Sequence, residues 1–115
     1  MFIEDMILAC EHISEYTTSF NFESFKISSL VVDAVIRNFE IIGEAAKHIP
    51  PHIKTKYPNI PWKKMIGMRN LISHEYFGVD YEMIWEIIKK QLPANKEDLI
   101  LILNTIRKNN LQLFD

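Results

Sequence analysis

The sequence predicts an all-α protein, an up-and-down bundle of four to five helices, and three observations carry that prediction. Apolar residues recur at three- and four-residue steps along most of the chain, which is the period of helices with one buried face. The 115 residues include only 3 Gly and 5 Pro, too few for a turn-rich β architecture. The apolar fraction is 48% and the charged fraction 24%, the balance of a chain that folds around a core rather than staying disordered. A chain of this length can bury roughly two thirds of its unfolded surface, so the core needs no metal or disulfide staple. We expect one domain over residues 1–115.

The first helix is expected from about Phe2 to Thr17, with Ile3, Met6, Ile7, Cys10 and Ile13 as its apolar stripe. Thr17, Thr18, Ser19 and Asn21 then weaken it, because short polar side chains compete for backbone hydrogen bonds. Phe20, Phe22 and Phe25 fall in that turn and are expected to pin a helix–helix corner. A second helix is expected from near Ser24 to Ile49. Leu30, Val31, Ala34, Val35, Ile42, Ala45 and Ile49 form its broad apolar face. Asp33, Arg37, Glu40, Glu44 and Lys47 form the opposite stripe, with Asp33 and Arg37 at pairing distance four apart. Asn38 falls among the apolar positions, where a buried amide must find partners. It either bonds a neighbouring helix or orients a functional group.

Pro50-Pro51 stops the second helix, and His52 to Tyr57 has room for one short helical turn. Pro58-Asn59-Ile60-Pro61 is a rigid connector, and Pro61 suits the first turn of the next helix. That helix is expected from Trp62 to about Tyr76, with Met65, Met68 and Ile72 facing inward. Gly78 is placed to end it, since glycine tolerates the left-handed conformation. Asp80 should cap the following helix, with Glu82 near its positive end and Tyr81, Ile84, Trp85, Ile88 and Leu92 as its stripe. Pro93 is expected to kink or break it. A last helix should run from about Ala94 to Asn109 on Leu99, Ile102, Leu103 and Ile106.

Cys10 is the only cysteine, which excludes an internal disulfide and a cysteine-rich zinc site and suits a reducing, cytoplasmic setting. Met1 to Cys10 carries Glu4 and Asp5 and no basic residue, so it does not read as a signal peptide. No apolar run approaches the ~20 residues that span a bilayer. The net charge of −2 conceals a polarity along the chain. The first 25 residues hold Glu4, Asp5, Glu11, Glu15 and Glu23 without one Lys or Arg. From Ala45 to His74 there is no Asp or Glu, while Lys47, Lys54, Lys56, Lys63, Lys64 and Arg69 occur there. A basic segment of this kind is either a solvated lysine face or a surface for phosphates, and Lys63 and Lys64 are the candidate RNA-phosphate contacts. His12, His48 and His52 lack metal-ligand spacing, so no metal site is expected.

Chemistry concentrates in Arg69-Asn70-Leu71-Ile72-Ser73-His74-Glu75-Tyr76. Arg69 offers a permanent charge and a planar fork of donors that suits phosphate. His74 belongs to the residue type that titrates near neutral pH and can exchange a proton with a ribose hydroxyl. Together these are the requirements of metal-free RNA cleavage, in which the 2′-oxygen attacks the adjacent phosphate. On an ideal helix Arg69 and His74 lie about 140° apart, whereas Arg69, Ser73 and Tyr76 share a face. A cleft closed by a second subunit would bring the two groups together. A structural reading stays open as well: an Arg69 and a His74 taken up by ion pairs or helix capping would need no catalysis to explain them.

The pattern R-x-x-x-x-H-x-Y formed by Arg69, His74 and Tyr76 resembles the motif of the HepT-like toxins, in the HEPN superfamily of helical ribonucleases. Asp33 to Ala46 (DAVIRNFEIIGEAA), the Pro61-Trp62 entry and Tyr76 to Trp85 (YFGVDYEMIW) are similar to the family pattern too. The resemblance runs from Asp33 to Pro93, and the end helices match in character alone. It implies a HEPN-like bundle that forms a homodimer, with the motif at a cleft between subunits. It implies a metal-independent endoribonuclease toxin of a type VII toxin–antitoxin pair, without a cofactor, acting on RNA away from membranes. Arg69 and His74 take the catalytic positions, with Asn70, Glu44 and Asn38 as supporting candidates. The implied partner is an MntA-type minimal nucleotidyltransferase antitoxin, which attaches AMP to the motif tyrosine, here Tyr76. The alternative is a non-catalytic helical subunit that docks substrate for a nucleotidyltransferase.

Overall fold

The computed structural model describes residues 1–69 and 78–113, with side chains through Asn110. Every element among the described residues is helical: α1 (Phe2–Thr17), α2 (Phe22–Ile27), α3 (Ser29–Lys47), α4 (Pro51–Lys56), α5 (Trp62–Gly67), α6 (Tyr81–Glu86), a π-helical segment (Ile87–Gln91) and α7 (Leu92–Leu113). The chain is all-α as predicted, but it divides into more and shorter pieces than four or five helices. Candidate residues Asn70, His74 and Tyr76 lie outside the described residues. The helix expected from Trp62 to Tyr76 already ends at Gly67, and Met68 and Arg69 form a turn.

α1 keeps the predicted bounds, and Ile3, Met6, Ile7, Cys10 and Ile13 are all buried. It packs against α3 and α7. Its acidic residues are matched by α7: Arg107 Nη2 donates to Glu4 Oε1 at 3.0 Å, and Lys96 Nζ lies 3.8 Å from Glu11 Oε1. The Cys10 thiol is pushed up to about 12 by burial, so it is an unreactive core group.

The expected helix from Ser24 to Ile49 is two helices. Asn21 caps α2, accepting from Ser24 N at 2.8 Å while Ser24 Oγ accepts from Asn21 N at 3.0 Å. Ser28 then leaves helical geometry (φ −94°, ψ 94°) and its hydroxyl caps α3. Serine is among the residues that stabilise such a start. The break turns two apolar side chains outward: Ile27 is 83% and Leu30 81% exposed, so Leu30 leaves the apolar face predicted for it. Asp33 and Arg37 do not pair; Arg37 Nη1 instead lies 3.6 Å from Glu40 Oε2. Phe25 is fully buried with its ring 5.1 Å from that of Trp85, and the Phe22 ring stands 6.4 Å from the same indole. This is the aromatic corner expected of that turn.

Pro93 does not break the last helix. The π-helical turn precedes it, and Leu92 N–H bonds back five residues to Ile87 O. Proline lacks the N–H that would close an α-helical bond and its ring collides with the carbonyl four residues earlier. One wider turn removes both conflicts without ending the helix. Gly78 takes φ 78°, the left-handed conformation expected of it, and Asp80 caps α6 by accepting from Met83 N at 3.1 Å. Trp62 Nε1 donates to Tyr57 O at 2.9 Å, which pins the proline-rich connector beneath α5. One apolar cluster joins these elements, with Met6, Ile13, Phe25, Phe39, Ile42, Ile60, Met65 and Leu99 fully enclosed. Among the described residues no helix is long and apolar enough to cross a membrane.

Candidate active site

Arg69 stands two residues beyond the end of α5, and α3 fixes its position by close backbone approach. A Cβ built on Gly43 would lie 3.0 Å from Arg69 N, 3.1 Å from Arg69 Cβ and 3.2 Å from Ile66 O. A side chain at this position would force α3 and the end of α5 apart by a few tenths of an ångström. One residue on, Glu44 reaches across: Arg69 Nη1 donates to Glu44 Oε2 at 2.8 Å. The second carboxylate oxygen, Oε1, lies 3.1 Å from His48 Nε2. A carboxylate only accepts, so Nε2 carries the hydrogen. The His48 ring in turn stacks on Phe2 of α1, with centroids 5.0 Å apart and planes 19° from parallel.

The hydrogen bond from His48, and then the charge of Arg69, hold the Glu44 carboxyl below the usual carboxylate range. Glu44 is therefore charged at neutral pH. The ion pair is present above the ordinary carboxylate range and is lost as pH falls through the lowered value. The Arg69 side chain remains 56% exposed, and Glu44 Oε2 is its hydrogen-bond acceptor among the described residues. Among the described residues nothing else accepts from its five N–H donors, the fork that suits a phosphate. Arg69 and Glu44 border a groove of about 360 Å³ between α1 and α3, whose rim also carries Asp5, Arg37 and Glu40.

The other candidates are distributed as follows. Glu44 joins Arg69 directly. Lys63 and Lys64 are exposed on α5, and Lys64 borders a different groove, with Met68, Met83 and Gln91. Asn38 is buried, 5% exposed, but among the described residues it makes no bond to a neighbouring helix: its Nδ2 donates to Ala34 O of its own helix at 2.8 Å. Its Oδ1 has no partner among the described residues. An orphaned buried acceptor costs about 1–3 kcal/mol. Asn38→Leu, of the same branched shape, is therefore expected to raise the unfolding free energy by about 1 kcal/mol in urea denaturation. A loss of that size would show that Oδ1 is satisfied in solution.

Sequence reasoning missed His48 and Gly43. The spacing of Glu44 and His48, four apart on one helix, is a signal for pairing. A glycine inside a helical pattern is a signal for close approach of another backbone. Among the described residues no three His, Cys, Asp or Glu side chains gather as a metal-binding group.

Residues 6–102 match the family described as Ribonuclease HepT-like. A Thermococcus cleftensis protein named as a probable ribonuclease HepT is 43% identical over 95 residues, which cover 83% of this chain and 86% of that protein. A Methanocaldococcus jannaschii protein named as a candidate RNase is 37% identical over 101 residues, 88% of this chain and 93% of that protein. A second protein from that organism, named as a gamma-glutamylcyclotransferase and candidate RNase, is 39% identical over 109 residues; these are 95% of this chain but 49% of that longer protein. No solved structure matches the chain. The match spans Gly43, Glu44, His48 and the whole Arg69–Tyr76 octet, and on it the chain belongs to the HepT-like ribonuclease family.

Proposed function

We propose that the protein is a metal-independent endoribonuclease toxin, that Arg69 and His74 carry the reaction, and that AMP attached to Tyr76 silences it. The observation that supports this most is the family match over residues 6–102, which contains the complete R-x-x-x-x-H-x-Y pattern. Arg69, tethered to Glu44 at one nitrogen and 56% exposed, is a suitable phosphate ligand. In this reading His74 takes the proton of a ribose 2′-OH, and the 2′-oxygen attacks the adjacent phosphorus. Arg69 stabilises the charge on the phosphoryl oxygens, and the 5′-oxygen leaves with a proton from the second His74 of a homodimer. The products are a 2′,3′-cyclic phosphate and a 5′-hydroxyl. Lys63 and Lys64 contribute long-range attraction for the RNA backbone, and Asn70 lies beside Arg69 in sequence.

The proposed partner is a minimal nucleotidyltransferase of the MntA type. The Tyr76 hydroxyl attacks the α-phosphate of ATP and releases pyrophosphate. The attached AMP adds bulk and negative charge within the motif, where the substrate phosphate is to bind. Purified protein, shown by intact mass to be unmodified, is expected to cleave RNA in EDTA, and His74→Ala to be slower by about 10²–10⁴-fold, the usual scale of positioned proton transfer. Equal rates for the two proteins would remove the assignment. Co-expression with the transferase should add the mass of AMP at Tyr76.

A further inference from the structure

We propose that His48 is a positioning residue for Arg69, acting through Glu44 so that the guanidinium keeps its donors free for phosphate. The inference rests on the ribonuclease reading for its purpose, but on geometry for its mechanism.

Glu44 is a half-exposed side chain on a helix surface, with rotatable bonds that cost entropy to fix. A lone Glu–Arg pair in such a place contributes little and adopts several geometries. Here both carboxylate oxygens are engaged: Oε1 by His48 at 3.1 Å, Oε2 by Arg69 at 2.8 Å. His48 is itself steadied by its stack on Phe2. The chain Phe2–His48–Glu44–Arg69 thus runs from one helix across another to the cation.

The consequence concerns how Arg69 is held. Carboxylates prefer to take arginine by two parallel N–H bonds. A Glu44 with a free Oε1 can turn to do so, and Arg69 then spends on its own protein the fork it would present to RNA. With Oε1 held by His48, the carboxylate keeps the orientation in which it takes Arg69 through one contact. The remaining donors are oriented and have no acceptor among the described residues. Asp5 of α1 and Arg37 and Glu40 of α3 share the groove, and Lys47 adds to the pull that lowers the Glu44 carboxyl. None of them is hydrogen-bonded to Glu44 among the described residues.

Three replacements separate this role from packing. His48→Gln retains an N–H donor four residues from Glu44 and removes the ring. His48→Phe retains the stack on Phe2 and removes the donor. His48→Ala removes both. In RNA cleavage, kcat is expected to fall about tenfold for the Ala and Phe variants, the scale of one charge-assisted hydrogen bond, and to stay near wild type for Gln. In a Glu44→Gln background His48→Ala should add nothing, since residues that act as one unit are not additive. Full turnover by Phe with a defective Gln variant would assign His48 to packing and overturn the proposal, as would three variants that all match wild type.

A second readout does not depend on cleavage. Carbon NMR of the Glu44 carboxyl should show the lowered titration in wild type and in the Gln variant, moving upward in the Ala and Phe variants. If wild type leaves RNA intact, the ribonuclease reading fails by itself. A Glu44 carboxyl that titrates alike in all four proteins overturns the positioning chain whatever the activity.

Discussion

Arg69→Lys is expected to lower kcat for RNA cleavage by about 10²–10³-fold, the loss seen when one preorganised stabiliser of transition-state charge is removed. The substitution preserves the positive charge, so attraction of the RNA backbone persists and KM should change little. What disappears is the planar fork. Arg69 meets Glu44 through one nitrogen, Nη1, at 2.8 Å, and the rest of the guanidinium points donors elsewhere at the same time. A lysine ammonium is one point of charge on a flexible stem. Drawn to the Glu44 carboxylate, it has no second rigid edge to offer a phosphoryl group. Single-turnover kinetics on unmodified protein measure the chemical step directly. A lysine variant within about threefold of wild type would show that charge alone suffices, and would withdraw transition-state geometry as the role of Arg69.

The contrast between the two halves of that site explains what the sequence made legible. Helix α1 could be read outright, because Ile3, Met6, Ile7, Cys10 and Ile13 repeat at helical spacing and all are buried. So could the left-handed backbone of Gly78 and the cap at Asp80, which depend on local backbone chemistry alone. The Ser28 break was hidden since apolar residues flank it on both sides and periodicity continues through it. Pro93 misled for a different reason: the rule that proline ends a helix holds for α geometry, and one π turn evades it. Within the site, resemblance to a family drew attention to Glu44, but its contact with Arg69 joins residues 25 apart in the chain. Local pattern carries no information at that separation. His48 lacks metal-ligand spacing, and its bond to Glu44 shows in the sequence only as a four-residue helix spacing, common to many pairs that never meet. The burial of Asn38 was legible from its place among apolar positions, while its bond to Ala34 within the same helix was not.

Gly43 carries the second large effect. Gly43→Val is expected to cost about 1–3 kcal/mol of stability, the usual range for overpacking, and to slow RNA cleavage by about 10²-fold, the scale of an ångström's misplacement. Two terms oppose one another at this position. Replacing a glycine inside a helix by alanine favours the helix by about 1 kcal/mol. Against this, the new Cβ meets Arg69 N at 3.0 Å and Ile66 O at 3.2 Å. Those are backbone atoms, which cannot swing aside as the end of a flexible side chain would. With alanine the two terms nearly cancel in stability, while Arg69 still shifts. With valine the added methyl groups leave no such balance. Gly67, in the same short helix that leads to Arg69, is the internal control, for among the described residues a Cβ there meets nothing within 4 Å. Gly67→Ala should therefore leave cleavage intact and the melting temperature unchanged or raised. Thermal melts and cleavage rates, taken where each variant remains folded, separate a displaced Arg69 from a collapsed bundle. Gly43→Val as active as Gly67→Ala would mean that the approach of α3 to Arg69 does not set the site.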